Sequence, residues 1–228
     1  GESPMGAISI VFPLGQVVVG LGLMFGNGAA SYLSRLLGSG DKKTANIVAS
    51  TALYSSVLIG AVLIIFSTIF LKPILTSLGA TETIMPYALT YARIYVISCI
   101  FNVFNVTMNN IVASEGAAKT TMCALLLGAV INIGLDPLFI YTFDMGVAGA
   151  AIATAISQFV STLVYLTYIL RKKSAFTFSI KEFIPTQQTF VEILKIGIPT
   201  LTFQLLTSLS IALINRASSD YGDAVIAG

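Results

Sequence analysis

Asn132 and Asp136 stand four residues apart in the run Asn132-Ile133-Gly134-Leu135-Asp136-Pro137, so on a helix they project from one face, one turn apart. Pro137 has no N–H to give the carbonyl of Ile133, which frees a backbone oxygen beside the two side chains. A carboxylate, an amide oxygen and a spare carbonyl are the hard oxygen donors that a sodium ion accepts, and the carboxylate alone can carry a proton. Thr154, at the end of Gly146-Val147-Ala148-Gly149-Ala150-Ala151-Ile152-Ala153-Thr154, can add a hydroxyl. A charge at the centre of an apolar spanning helix costs about 2.5 to 3.5 kcal/mol or more, so a chain that keeps Asp136 there is read as holding a proton or cation site. Its plain alternative is an interhelical hydrogen bonder. Pro137 weakens the same helix and is the candidate hinge.

The elements that must hold these groups follow from composition. The chain has 228 residues, 56% of them hydrophobic and 10% charged, more apolar surface than a soluble domain of this size can bury. A spanning helix needs about 20 mostly apolar residues, and six such stretches occur, near 5–34, 45–71, 85–113, 120–142, 147–170 and 197–217. The strict alternation of membrane barrel strands is absent. The expected class is all-α and polytopic, with the lipid bilayer as partner. A net charge of +2 gives no reason to expect nucleic acid. There is no His, and Cys99 and Cys123 both fall inside apolar spans, so no zinc site or disulfide framework is expected. Neither a paired acid, a Ser with a base nor a His-rich metal site is visible, which argues against an intramembrane enzyme.

Polar residues inside the spans fall on stripes. Ser98, Asn102, Asn105 and Asn109 are spaced by four, three and four residues and share one helix face. Thr154, Gln158 and Ser161 make a similar stripe in the fifth span, and Gln204, Thr207 and Ser208 in the sixth. Such stripes either bond to neighbouring helices or line a wet cavity, and three in one bundle favour a shared water-filled space with Asn102, Asn105, Asn109, Gln158 and Gln204 as lining candidates. Gly20, Gly22, Gly26 and Gly28 in the first span let a neighbour approach closely. Arg93 is read as reaching up to the interface. In the long polar connection from Arg171 to Lys195, Pro185 can start a short amphipathic helix with Phe190, Ile193 and Leu194 on one face, lying at the membrane surface.

Lys and Arg concentrate in alternate connections: Arg35, Lys42 and Lys43, then Lys119, then Arg171, Lys172, Lys173, Lys181 and Lys195. The remaining ends carry only Lys72 and Arg216. The positive-inside bias makes the first group cytoplasmic, so the chain enters its first span from the other side and a preceding span is expected. Met5-Gly6-Ala7-Ile8-Ser9 and Asp223-Ala224-Val225-Ile226-Ala227 read as two copies of one junction, which implies a repeat of about six spans.

Three further motifs join the first: Ser34-Arg35-Leu36-Leu37-Gly38-Ser39-Gly40-Asp41, Glu115-Gly116-Ala117-Ala118-Lys119, and the pairing of Asp136-Pro137-Leu138-Phe139-Ile140 with Met145 to Thr154. With these, the chain resembles the multidrug and toxic compound extrusion (MATE) family along essentially its whole length. The resemblance implies a twelve-helix antiporter of two six-helix lobes in the cell (inner) membrane. It implies export of small organic cations and drugs against H+ or Na+ as coupling ion, with no other cofactor, and a monomer when complete. The chain would hold helices two to seven: residues 1–171 in the first lobe, 172–196 as cytoplasmic inter-lobe loop with the amphipathic helix, and 197–228 as first helix of the second lobe. Asn132, Asp136 and Thr154 match the family's coupling-ion residues, whereas its helix-one Asp precedes this chain and its helix-seven acid aligns with Thr207. The alternative in this superfamily, a flippase for lipid-linked saccharides, would want several Arg or Lys facing the cavity for an anionic cargo.

Overall fold

The structure is a computed structural model that describes residues 2–219 together with 222, 225 and 226. Long helices dominate: α1 (Glu2–Ser39), α2 (Lys42–Ile69), a two-turn α3 (Leu71–Ser77), α4 (Met85–Ser114), α5 (Ala118–Pro137) leading into a π-helical turn (Leu138–Thr142), α6 (Gly146–Leu170) and α7 (Gln187–Ser218). Six helices are long and apolar enough to cross a membrane, and each overlaps one of the six expected stretches, the last starting ten residues earlier than expected. The protein is a multi-pass, all-α membrane protein, and no strand occurs among the described residues. The junction expected at Asp223 to Ala227 lies largely outside those residues.

Short turns make successive spanning helices antiparallel, so all three Lys- and Arg-rich connections gather at one end. There the side chain of Asp41 caps α2, accepting from the Thr44 backbone N–H at 3.0 Å and from its hydroxyl at 2.6 Å. Those two donors, helped by nearby Lys43, hold the Asp41 carboxyl below its ordinary value of 3.8.

α1 is the central post. Its glycines fall on two faces: Gly22 and Gly26 meet Val106, Thr107 and Asn110 of α4, whereas Gly20 and Gly28 meet α7. At the closest crossing a Cβ on Gly28 would strike the Ile193 carbonyl, and one on Gly197 would strike the Met24 carbonyl. Two apolar cores lie along the post. Ile10, Leu14, Leu75, Ile84 and Val96 fill one end, and Phe25, Leu33, Val48, Ile111 and Ile193 fill the basic end.

The connection after α6 differs from the expectation of a separate surface helix. Pro185 and the Thr186 cap do start a helix, but it runs unbroken from Gln187 through Pro199 to Ser218, so the predicted amphipathic segment is the first turns of α7. Its apolar face has somewhere better to go than lipid headgroups: Ile193 is fully buried and packs with Phe25 and Leu33, with Phe190 and Leu194 beside it. The preceding residues are laced onto α2 and α4. Glu115 accepts from the Ala175 N–H (2.6 Å) and the Ser174 hydroxyl (3.0 Å), Asn46 from the Thr177 N–H (2.9 Å), and Ser50 donates to the Thr177 carbonyl (3.0 Å).

Candidate functional site

α4, α5 and α6 line a half-open cavity of about 530 Å³, with Val19 and Leu23 of α1 along one side. Its polar wall contains Asn102, Asn105 and Asn109 from α4, Asn132 from α5, and Thr154 and Gln158 from α6. The stripe spacing on α4 and α6 thus does place those amides around one space. Two helices present complementary stripes because α5 and α6 approach closely at Gly128, where a Cβ would strike the Ser161 hydroxyl. Ser161 in turn donates to the Ala124 carbonyl at 2.9 Å.

Much of the wall is already bonded. The Asn105 amide donates to both the backbone carbonyl and the side-chain oxygen of Gln158, each at 2.8 Å, and the Thr162 hydroxyl donates to Asn105 Oδ1 at 2.9 Å. Asn109 donates to the Tyr165 hydroxyl at 3.0 Å. Ser98 leaves the stripe's shared task and donates to the Tyr95 carbonyl of its own helix at 2.7 Å. Asn102 is different: its Oδ1 is buried and has no partner. A buried acceptor without a donor is costly, so this oxygen is the wall's unsatisfied point.

Asn132 joins the cavity to the acid. It lines the space and its amide lies 3.5 Å from Asp136 Oδ1, a long contact at the limit of hydrogen bonding. Asp136 itself is half-buried and is not among the lining residues. It sits one turn further along α5, next to Pro137, where the helix ends and the chain widens into the π-helical turn. Such widened turns are frequent at functional sites. The turn is braced from α6, since a Cβ on Gly149 would meet Phe139 at 2.9 Å. Among the described residues no three His, Cys, Asp or Glu side chains cluster to hold a metal. Thr154 and Asn132 both line the cavity, from α6 and α5, and Asp136 lies one turn beyond Asn132 on α5.

Gln204 corrects an expectation. It is absent from the cavity wall and its side chain packs on Gly20, because α7 lies across α1 from α4, α5 and α6. The third stripe thus serves the α1–α7 contact. Arg93 is exposed. One tyrosine escapes the sequence reading: Tyr165 lines the cavity. It could have been found, because it continues the Gln158 and Ser161 stripe at helical spacing.

The MatE family model matches residues 1–138. The chain belongs to the MatE family. The multidrug export protein MepA of Staphylococcus saprophyticus is 33% identical over 228 residues, covering all of this chain and 51% of that protein. MepA of Staphylococcus aureus is 31% identical over 221 residues, covering 97% and 49%. A MATE multidrug resistance transporter solved in an inward-facing conformation superposes with a TM-score of 0.94 at 31% identity, over all of this chain and 52% of that one. One solved outward-facing gives 0.86 at 29% identity, over all of this chain and 51% of its own. This MatE chain therefore spans about half the length of the curated relatives it matches.

Proposed function

We propose that the complete protein is a secondary exporter of small organic cations and drugs, driven by inward movement of H+ or Na+ in a cell membrane and working as a monomer. The observation that carries this reading is Asn132, which lines the cavity and whose amide nitrogen lies 3.5 Å from Asp136 Oδ1. A cation arriving at Asp136 would draw on the Asn132 oxygen and the Thr154 hydroxyl, turning those groups away from the cavity. The proline and the π-helical turn beside Asp136 give that change a place to bend. Ion occupancy and cargo contact are then linked through one amide, and each shifts the balance between inward-open and outward-open bundles. The kinship with MepA exporters supports the cargo class.

The cavity wall carries amides, hydroxyls and aliphatic groups but neither Arg nor Lys among its lining residues. That supports a cationic or neutral cargo and gives no support to an anionic lipid-linked saccharide. In the complete protein, Asp136→Asn is expected to abolish gradient-driven dye efflux while membrane insertion and melting behaviour stay normal. Running efflux on a sodium gradient and then on a pH gradient identifies the ion. Full efflux by Asp136→Asn would sink the assignment.

A further inference from the structure

α1 carries Pro13 in its interior, so the carbonyl of Ser9, which residue 13 would normally bond, has no partner in its own helix. The side chain of Asn215 on α7 supplies one: its Nδ2 donates to the Ser9 carbonyl at 2.9 Å. One turn deeper, the Ser208 hydroxyl donates to the Pro13 carbonyl at 2.8 Å. Asn215 and Ser208 are both buried. With Gln204 they lie on one stripe of α7, at spacings of four and seven residues, and all three face α1. By the distribution of basic residues this is the non-cytoplasmic half of the seam.

The cytoplasmic half is built on another plan. The Gly28–Ile193 and Gly197–Met24 contacts bring two backbones together with no side chain between them. Outside that crossing, Arg35 pairs with Glu192 at 2.7 Å. The connection before α7 is itself tied to α2 and α4. Backbone-to-backbone contact at glycine is lost if the helices part by even an ångström, whereas a side-chain amide on a carbonyl can let go and be replaced by water. Pro199, just beyond Gly197, leaves the Lys195 carbonyl without its helical donor between the two halves.

We propose that Asn215 is the clasp of an outer gate: its amide, bound to the carbonyl that Pro13 leaves free, holds α7 against α1 on the non-cytoplasmic side and must release for that side to open. The closer match of this chain to the inward-facing relative agrees with a fastened outer seam. The inference rests on the alternating-access reading above, but only in what the opening accomplishes.

The test uses the complete protein with its other cysteines replaced, and one reporter at a time. Ile211→Cys, between Ser208 and Asn215, reports the outer seam through a membrane-impermeant maleimide applied to intact cells. Leu194→Cys reports the inner seam in inverted vesicles. Adding Asn215→Ala is expected to speed outer labelling about fivefold, the factor that one hydrogen bond of ~1 kcal/mol represents. Pro13→Ala restores the missing N–H and lets Ser9 bond within α1, so Asn215→Ala should add less than twofold in that background. Unchanged outer labelling in an Asn215→Ala protein of normal abundance and melting temperature overturns the clasp, as does a lower melting temperature with unchanged labelling. Faster outer labelling accompanied by slower inner labelling supports both the clasp and alternating access. If outer labelling rises and the inner rate stays constant, the clasp stands and alternating access fails.

Discussion

The seam between α1 and α7 and the wall shared by α4, α5 and α6 both bury amides and hydroxyls in an apolar bundle, yet they use them in opposite ways. On the seam two polar groups end on a backbone carbonyl of the facing helix: Asn215 on Ser9, Ser208 on Pro13. On the wall the amides bond sideways to other side chains around an open space, and Asn102 keeps an oxygen without a donor. Glycine separates the two further. Where Gly28 and Gly197 remove the side chains, backbone meets backbone, whereas the one glycine of the wall, Gly128, faces the Ser161 side chain and the wall lines about 530 Å³ of space. In lipid, where apolar burial hardly favours helix contact over lipid contact, this choice between close backbone approach and side-chain spacing decides which faces fuse and which form a cavity.

The sharpest way to break the comparison is Gly28→Val. The obstacle is a backbone carbonyl of Ile193, which cannot rotate aside, so the expected loss is about 3 kcal/mol or more in resistance to denaturant-driven unfolding, with little folded protein recovered. If Gly28→Val melts like the parent, the seam is not a backbone-to-backbone contact.

A second contrast lies within the wall. Asn105→Ala removes three hydrogen bonds from a buried network and strands the Gln158 side-chain oxygen, so it should cost about 2 kcal/mol. Asn102→Ala breaks no bond to Asn102 Oδ1 and should change stability by less than about 0.5 kcal/mol while altering efflux. Equal destabilisation of the two variants would show that the wall is glue throughout and that Asn102 holds nothing in reserve for a ligand.

The unequal legibility of these regions follows from what a sequence encodes locally. Helix number and the apolar centre of each span were readable because lipid imposes length and apolarity on each segment independently. The α4 stripe was readable because its period is internal to one helix. Which stripe faces which was not: Gln204 has the same spacing logic as Gln158, and only the position of α7 on the far side of α1 sends it to Gly20. The fate of residues 187–196 was hidden for a similar reason, since an amphipathic face fits a headgroup layer and a protein groove equally well. Asp136 was legible as an intramembrane acid beside proline, but its distance from the cavity, bridged by Asn132, depends on how α5 is rotated.

A smaller test asks whether the charged end of the seam matters. Arg35 and Glu192 are paired at 2.7 Å, but their side chains keep 60% and 27% exposure. Arg35 also rests 5.3 Å from the Tyr32 ring. Exposed pairs of this kind contribute roughly 0.5 kcal/mol and are screened by salt. Arg35→Ala should therefore lower the unfolding midpoint slightly at low salt and by less at high salt. A loss approaching that of Gly28→Val would mean that charge, not close backbone approach, closes the basic end of the seam.

The smallest expected effect comes from the cap where α1 hands over to α2, and it concerns pH. Asp41 accepts its two bonds from Thr44 more strongly while ionised, and those bonds hold its carboxyl below the ordinary 3.8. A depressed acid contributes stability that is fully present above 3.8 and is lost as pH falls through its lower folded value. Asp41→Asn should accordingly differ from the parent by a constant amount in unfolding midpoint between about pH 5 and 8, converging on it only in stronger acid. The chain has no His, so a slope of stability inside that window has to arise from a group other than an ordinary surface carboxylate. If the slope persists in Asp41→Asn and vanishes in Asp136→Asn, the titrating group belongs to the α5 site beside the cavity wall and not to the turn at the end of the seam. If Asp41→Asn removes it, the cap reaches further into the bundle than two bonds to Thr44 can explain.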